Sequence, residues 1–171
     1  MGANHLGEIA QLRELVQPDV AIVTNTGDAH IGEFGSQENL IKAKGEIYSA
    51  DSQNITNTNG NYLGDLSFGK NGDVFASNIK QSNFTLNIKE QQINVSLQLI
   101  GEHNINNALA ASACAHALGI NIELIKTGLE STQAEPGRLS VIHTEQFTLI
   151  DDSYNASPTS IKAALSALQA Y

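Results

Sequence analysis

The chain begins with apolar residues at the spacing of one helix face. Within 8–17 these are Ile9, Leu12, Leu15 and Val16, and Pro18 ends the run. The next segment, 19–25 (DVAIVTN), is short, apolar and β-branched, which is typical of a strand buried on both faces of a parallel sheet. After a polar loop, Ser36 can cap a helix that runs to about Ser49. This order of strand, loop and helix predicts an α/β fold.

The middle of the chain changes to a polar stretch and then to alternation. Residues 51–72 are rich in Asn and Gly and have no clear period, so they predict a loop with one short strand at about 66–68. Residues 73–100 alternate between apolar and polar positions, with turns at 81–83 and 90–92. That alternation predicts a small antiparallel meander with one face exposed to solvent.

The C-terminal part of the chain predicts three helices and a hairpin. The helices are expected at 104–118, at about 122–130 and from Pro158 onward, and the hairpin strands at 139–143 and 147–150. Gly119 ends the first of these helices, and Ser157 caps the last one with Pro158 at its first position. The predicted architecture is a mostly parallel α/β sheet with the small antiparallel meander beside it.

Composition and charge limit the classes of protein that the chain can belong to. Its 171 residues are 41% hydrophobic and 16% charged, which is an ordinary globular mixture. The net charge of −9, from 18 acidic and 9 basic residues, argues against a nucleic-acid-binding surface, because such a surface needs clustered Lys and Arg. A single nucleotide needs only a few cations and backbone N–H groups, so the charge does not exclude ATP.

Cysteine content and hydropathy indicate a compartment. The single cysteine, Cys114, cannot form a disulfide within the chain, and we interpret it as a small buried residue in a reducing environment. No segment approaches about 18 consecutive apolar residues, so we expect no membrane insertion. We therefore expect a cytoplasmic protein. Because both ends lie close to predicted helices, we interpret the chain as part of a longer protein.

Polar groups that could carry chemistry follow the buried strand. In open α/β sheets, ligands bind beyond the carboxyl ends of the strands. Asn25 and His30 lie there and could contact a metal or a phosphate, while the alternative is a polar loop with an incidental histidine. In the next helix Lys42 and Lys44 are two positions apart, so they point in different directions. Their simplest interpretation is a solvated helix face.

Two later segments suit a nucleotide. Asn104 and Asn107 are three positions apart near a helix start, so both amides face one side and suit an adenine edge. The alternative is helix capping by Asn104. Arg138 could bind phosphate through two nitrogens, and Asp152 could accept ribose hydroxyls. The alternative for this pair is a turn and a strand end.

The order and spacing of these segments make the set specific. The motifs N-x4-H, KAKGEI, G-x-HN-x2-NALAA, PGRL and DDSYNA follow one another along the chain. They resemble the Mur ligase superfamily of ATP-dependent, amide-bond-forming ligases over roughly 1–50 and 100–171. Within it, GANHLGEI and DDSYNASPTS resemble the members that join D-alanyl-D-alanine to UDP-N-acetylmuramoyl-tripeptide in peptidoglycan synthesis. The resemblance implies a central ATP-binding domain at 1–150 and the hinge and first helix of a C-terminal domain at 151–171.

The resemblance also implies a role for each matched residue. His30 and Lys44 would be Mg²⁺ ligands, Lys44 after carbamylation, and with Asn25 near the γ-phosphate they would form the catalytic set. Asn4 and His5 would lie at the substrate. The implied nucleotide contacts are Asn104 and Asn107 at adenine, Arg138 at phosphate, Asp152 at ribose, and Tyr154 and Asn155 at the hinge. The implied partners are ATP, UDP-N-acetylmuramoyl-tripeptide and D-alanyl-D-alanine, with no nucleic acid, and we expect a monomer.

Parts of the family pattern are not expected in this chain. The glycine-rich phosphate-binding loop, a metal-binding glutamate, the domain that binds the UDP sugar and most of the C-terminal domain would lie outside it. The chain alone is therefore expected to be inactive. Polar residues at 51–60 stand where the family has a strand after KAKGEIYSA, so the central sheet is expected to lack that strand. Another Mur-type or folylpolyglutamate-type ligase, and a non-catalytic module that keeps only the fold, remain open.

Overall fold

The computed structural model describes residues 1–27 and 31–171. The helices are α1 (Glu8–Val16), α2 (Ile31–Phe34), α3 (Gln37–Gly45), α4 (Glu102–Ala117), α5 (Ile122–Ser131) and α6 (Pro158–Ala170). The strands are β1 (Val20–Val23), β2 (Gln53–Asn57), β3 (Leu66–Phe68), β4 (Val74–Lys80), β5 (Asn83–Ile88), β6 (Gln91–Ser96), β7 (Ser140–His143) and β8 (Thr148–Asp151). In the part of the chain so described, no helix is both long and apolar enough to cross a membrane.

The chain divides into two compact units. The first unit comprises Met1–Phe75 and Leu109–Ile120, and the second comprises Ala76–Ala108 and Asn121–Tyr171. Strand β4 and helix α4 each contribute residues to both units.

Parallel strands form the centre of the first unit. Strand β1 pairs with β2, with Val20 opposite Gln53, and β2 pairs in parallel with β3. The start of β4 is in turn parallel to β3, with Val74 opposite Phe68. The deeply buried side chains of this unit are mostly apolar, among them Ile9, Ala21, Leu40, Ala43, Ile55, Phe68, Val74 and Ala113, and they include the polar Ser112 of α4. The predicted parallel sheet is therefore confirmed, and the loop that follows β1 leaves from its carboxyl edge.

Strand β2 corrects the prediction for 51–72. Its sequence, QNITN, has one aliphatic residue, yet it lies between β1 and β3. Ile55 is 0% exposed and Thr56 is 4% exposed, so two adjacent side chains are buried, as expected for a strand covered on both faces. The Nδ2 group of Asn54 donates to the carbonyl of Ser49 at 2.8 Å, which satisfies a polar side chain locally. The expected loop and the expected missing strand are both wrong here, whereas the short strand at 66–68 is confirmed as β3.

The second unit holds the antiparallel strands. Strands β5 and β6 are antiparallel, with Asn83 opposite Ser96, and so are β7 and β8. Strand β4 is tied to β5 by side chains, since Asn87 Nδ2 donates to Ser77 Oγ at 2.9 Å. The predicted antiparallel strands are thus confirmed, but the predicted exposed face is wrong for β5, where the consecutive residues Phe84, Thr85 and Leu86 are all buried. Helix α5 packs on β6, where Ser96 N–H donates to the carboxylate of Glu130 at 2.9 Å.

Helix boundaries differ from the prediction in three places. The short helix α2 lies in a segment predicted as loop, and α4 begins at Glu102, before the predicted start. Helix α3 ends at Gly45 and not near Ser49. It ends early because the N–H groups of Glu46 and Tyr48 donate to carbonyls three residues back, which tightens the last turn.

Candidate functional site

The loop after β1 carries the first candidate residue. Asn25 is exposed, and its Oδ1 accepts the N–H of Gly27 at 3.2 Å. That bond occupies the amide oxygen and leaves Nδ2 as the group that can donate to a ligand. The second residue predicted in this loop, His30, lies outside the described residues.

Helix α3 carries the two candidate lysines. Ser36 caps it as predicted, because its Oγ accepts the N–H of Asn39 at 3.1 Å. Lys42 is exposed whereas Lys44 is half-buried, so the two side chains do face different surroundings. Within residues 1–27 and 31–171, the Lys44 ammonium forms no ion pair with a carboxylate.

The end of α3 is anchored to the start of α1. The carboxylate of Glu46 accepts the N–H of Gly7 at 2.8 Å and that of Ala10 at 3.3 Å. Arg13 Nη1 donates back to the carbonyls of Glu46 and Tyr48 at 2.8 and 2.9 Å. Glu46 was not among the residues predicted from the sequence, although a carboxylate at a helix C-terminus is unfavourable by itself and so indicates a partner elsewhere. The partner here is the N-terminus of α1, which favours negative charge.

Asn4 and His5 lie around the carboxylate of Glu8. Glu8 accepts the backbone N–H groups of Asn4 at 2.8 Å and His5 at 3.2 Å, and its Oε1 lies 2.9 Å from His5 Nδ1. The bond from Asn4, followed by those from His5, lowers the pKa of Glu8 to about 2. In the orientation that satisfies both amide atoms, Asn4 donates to Glu33 Oε2 at 2.7 Å. Because Glu8 engages Nδ1 of His5, Nε2 is the ring nitrogen turned to other partners.

Two tyrosines of the first unit, Tyr48 and Tyr62, were not among the predicted residues, and their hydroxyl groups join its strands and helix α3. The hydroxyl of Tyr48 accepts the N–H of Val23 at 3.2 Å and donates to the carbonyl of Ile55 at 2.8 Å, so it joins β1 to β2. Burial raises its pKa to about 12. Tyr62, whose ring meets Tyr48 edge-on, donates to the carbonyl of Ile41 in α3 at 2.6 Å. Both lie in or beside the polar stretch that predicted a loop, so little in the local pattern could have singled them out.

In the second unit, the two predicted asparagines of α4 face each other. Asn107 Nδ2 lies 3.3 Å from Asn104 Oδ1, which agrees with the predicted shared face. Asn104 Nδ2 donates to the carbonyl of Ile100 at 2.8 Å, and the residue lies inside α4 and not at its cap. Asn104 is therefore held by the protein, and the exposed Asn107 offers its amide oxygen to a partner.

The residue before this pair, His103, also belongs to the cluster. Burial lowers the pKa of His103, and the negative charge of Asp152 opposes that shift only in part. A Cβ on Gly101 would lie 2.6 Å from the His103 ring, and Gly101 has φ +96°, so glycine is required for this approach. His103, at the start of α4, thus lies within the electrostatic influence of Asp152, the aspartate predicted to bind ribose.

The Pro-Gly-Arg turn is attached to the segment that follows β8. Tyr154 N–H donates to the carbonyl of Gly137 at 3.0 Å, and the guanidinium of Arg138 lies over the Tyr154 ring. Gly137 has φ +75°, and a Cβ there would lie 3.1 Å from the Tyr154 nitrogen. Leu139 also has positive φ, +52°, and its side chain is 5% exposed, so burial offsets a strained backbone. Arg138 and Tyr154, which the sequence placed sixteen positions apart, are therefore in direct contact.

Asp152 and Asn155 line a cavity of about 400 Å³ within the second unit. Its remaining wall is mostly apolar and comes from the β7–β8 hairpin and α6, including Leu139, Leu149, Ile150, Ile161 and Leu165. Asn155 Oδ1 accepts the N–H of Ala156 at 2.8 Å, so its Nδ2 group is the one left to face a ligand. A polar edge on an apolar wall is the arrangement expected for a small-molecule pocket.

The predicted site residues thus form two groups. Asn4, His5, Asn25 and Lys44 belong to the first unit, and Asn104, Asn107, Arg138, Asp152, Tyr154 and Asn155 belong to the second. Among the described residues, no three His, Cys, Asp or Glu side chains converge as a metal site would require. The metal ligands predicted from the sequence are His30, which lies outside the described residues, and a modified Lys44, which is not one of these four residue types.

The chain is similar to known proteins along its length. Residues 1–115 match the Mur ligase middle domain. The UDP-N-acetylmuramoyl-tripeptide--D-alanyl-D-alanine ligase of Haemophilus influenzae is 37% identical over 100% of this chain and 41% of its own length. A crystal structure of MurF from Acinetobacter baumannii is 40% identical with a TM-score of 0.92, covering 100% of this chain and 42% of that one. MurF from Thermotoga maritima in complex with ADP is 26% identical with a TM-score of 0.86, covering 100% and 44%.

Proposed function

The chain belongs to the Mur ligase family, and on that premise we propose that it forms part of the ATP site of a ligase that joins D-alanyl-D-alanine to UDP-N-acetylmuramoyl-tripeptide. The observation that carries the proposal is 37% identity, over the whole chain, to a ligase of that name. The similar structure of MurF from Thermotoga maritima, which is in complex with ADP, supports an adenine nucleotide as the ligand. The chain spans about two-fifths of the relatives it matches, so the proposed activity belongs to the whole enzyme, and the chain alone would not ligate.

The proposed reaction activates a carboxylate and then forms an amide. The terminal carboxylate of the tripeptide attacks the γ-phosphorus of ATP, which gives an acyl phosphate and ADP. The amine of D-alanyl-D-alanine then attacks the acyl carbon, and inorganic phosphate leaves from the tetrahedral intermediate. Such chemistry asks the protein mainly to position the reactants and to neutralise charge.

The second unit would hold the nucleoside and a phosphate. The amide oxygen of Asn107 can accept the exocyclic amine of adenine, with Asn104 fixing its orientation at 3.3 Å. Asp152 can accept the ribose hydroxyls at the polar edge of the cavity. The Arg138 guanidinium, which is exposed above Tyr154, can bind a phosphate through two N–H groups.

The first unit would hold the reacting phosphate and the metal. Asn25 would donate to the γ-phosphate through Nδ2, because its oxygen is engaged with Gly27. His30 and a carbamylated Lys44 would hold Mg²⁺, and the half-buried Lys44 without a described counter-ion fits that role. When bound, Mg²⁺ would neutralise phosphate charge. Asn4 and His5 would lie toward the peptide substrate, with Glu8 fixing the His5 ring.

Domain limits, location and assembly are part of the same proposal. Residues 1–150 would form the central domain, and 151–171 the hinge and first helix of the next domain. A capping box gives α6 a defined start, since Ser157 Oγ accepts the N–H of Ser160 at 3.1 Å and Ser160 Oγ accepts the N–H of Ser157 at 2.9 Å. The enzyme would act as a monomer in the cytoplasm, where ATP and nucleotide-linked precursors are available.

The test is a coupled assay on the full-length enzyme. ADP release should require UDP-N-acetylmuramoyl-tripeptide, D-alanyl-D-alanine and Mg²⁺ together, and mass spectrometry should detect the UDP-linked pentapeptide. A screen of single amino acids and glutamate in place of the dipeptide separates the other Mur-type and folate-type ligases. Release of ADP with a different amine would overturn the proposed specificity. An absence of ADP release with every amine would favour a non-catalytic module.

A further inference from the structure

Two amide side chains bind the backbone on either side of Asn25. Asn57 Nδ2, at the end of β2, donates to the carbonyl of Thr24 at 2.8 Å. Gln37 Nε2, at the start of α3, donates to the carbonyl of Thr26 at 3.1 Å. The two donors come from different elements and hold the carbonyls immediately before and after one residue. Asn25 itself makes only the local bond to Gly27 among the bonds seen in the described chain.

We propose that Asn57 and Gln37 are positioning residues, which fix the backbone at Thr24 and Thr26 so that Asn25 Nδ2 points toward the reacting phosphate. The inference rests on the proposed function for its catalytic consequence, but its structural part concerns only these contacts. Thr24, Asn25 and Gly27 are exposed and Thr26 is half-buried, so burial orders this loop only in part. The bonds to the carbonyls of Thr24 and Thr26 fix the backbone, and together with the bond from Gly27 N–H they restrain the direction of the Asn25 side chain.

Asn57 is well suited to this role because both ends of its amide are used. Its Oδ1 accepts the N–H of Asn59 at 2.8 Å, which fixes the side chain, while Nδ2 reaches Thr24. An aspartate at position 57 would keep the first bond and turn the second into a repulsion between two oxygens. A glutamate at position 37 would do the same at Thr26. Asn57→Asp and Gln37→Glu therefore remove the donors while leaving size almost unchanged.

The experiment first measures order and then chemistry. Amide hydrogen exchange of the full-length enzyme is compared for Asn57→Asp, Gln37→Glu and two charge-matched controls. The controls are Asn59→Asp and Gln53→Glu, because both side chains are exposed. Exchange at 24–27 should rise severalfold in the first two variants only, with β1 unchanged. Unchanged exchange at 24–27, or an equal rise in the controls, would overturn the inference.

The second readout is a double-mutant cycle in the full-length enzyme. Each donor variant should lower kcat/KM for ATP by about three- to tenfold, as expected for losing one hydrogen bond, with the KM for UDP-tripeptide unchanged. In an Asn25→Ala background the same substitutions should have no further effect, because they act through Asn25. An equal loss in both backgrounds would refute the positioning role. If exchange responds as expected but the unsubstituted enzyme does not ligate, the structural inference stands and the proposed function fails.

Discussion

The guanidinium carbon of Arg138 lies 4.0 Å from the centre of the Tyr154 ring. This contact joins the turn after α5 to the segment after β8, and the bond from Tyr154 N–H to Gly137 runs beside it. The ring can support the guanidinium from one side while its N–H groups point outward in their plane. Because Tyr154 is exposed, its ring contributes more to holding the Arg138 guanidinium than to the hydrophobic core.

Replacing the ring of Tyr154 should weaken nucleotide use. In the full-length enzyme Tyr154→Leu should raise the KM for ATP about two- to fivefold, the effect of losing an exposed cation–π contact of about 0.5–1 kcal/mol. Tyr154→Phe, which keeps the ring, should leave the KM unchanged. Initial-rate kinetics at saturating peptide substrates provide the measurement. An increase for Tyr154→Phe equal to that for Tyr154→Leu would assign the effect to the hydroxyl instead.

Replacing glycine by alanine should change the free energy of unfolding in opposite directions at two positions of the second unit. Gly137→Ala should lower the free energy of unfolding by about 1–2 kcal/mol, because φ is +75° and the new Cβ would lie 3.1 Å from the Tyr154 nitrogen. Gly128→Ala, inside α5 with open space around its Cβ, should raise it by about 0.5–1 kcal/mol. Urea unfolding followed by circular dichroism measures both. The same sign at both positions would contradict the backbone argument.

The hydroxyl of Tyr48 should stabilise the first unit in a pH-dependent way. Tyr48→Phe should cost about 1–3 kcal/mol, because it leaves the N–H of Val23 and the carbonyl of Ile55 without this partner. Burial raises the pKa of Tyr48 to about 12, so the folded chain favours the neutral hydroxyl. Its contribution is complete below about pH 10, the ordinary value for tyrosine, and is lost between about pH 10 and 12.

Chemical unfolding across that pH range tests the sign. The unfolding free energy of the unsubstituted chain should fall more steeply from about pH 10 to 12 than that of Tyr48→Phe. Tyr154→Phe, which also removes a tyrosine hydroxyl but at an exposed position, serves as the control. Parallel curves for Tyr48→Phe and the unsubstituted chain would show that this hydroxyl does not link folding to pH.

Strand β2 should be a core element despite its polar sequence. Ile55→Ala should lower the free energy of unfolding by about 2–5 kcal/mol, since the side chain is 0% exposed. Leu63→Ala, in the same polar stretch but 98% exposed, should change it by less than about 0.5 kcal/mol. Thermal melts of the two variants decide the matter. Similar melting temperatures would mean that 53–57 behaves as a loop.

The sequence was sufficient for the elements whose apolar pattern is strong. Strand β1 has four consecutive apolar residues and was predicted as a strand, and Asn25 lies two positions beyond its carboxyl end. The spacing of Asn104 and Asn107 predicted their shared face, which the structure confirms at 3.3 Å. In each case a local rule, a run of apolar residues or three-residue spacing, was enough, although β1 is buried at alternate positions and not on both faces.

Strand β2 could not be predicted because its polar groups have distant or side-chain partners. Asn54 is satisfied by Ser49 and Ser52, and Asn57 by the carbonyl of Thr24. A pattern of hydrophobicity treats such residues as solvent-exposed. The same limit hid Glu46, whose partners lie in α1, and the two donors that flank Asn25. Contacts that depend on long sequence separation leave little local trace.

The link between Glu46 and the start of α1 has a consequence for the order of folding. Gly7 and Glu46 are 39 positions apart in the chain, so their bond closes a long loop. We expect this closure to form after β1 and α3 have become ordered, late on the folding pathway. Glu46→Gln should then speed unfolding in stopped-flow experiments and leave the refolding rate nearly unchanged. The bond between Glu46 and Gly7 would therefore set the lifetime of the folded state and have little effect on the time that folding takes.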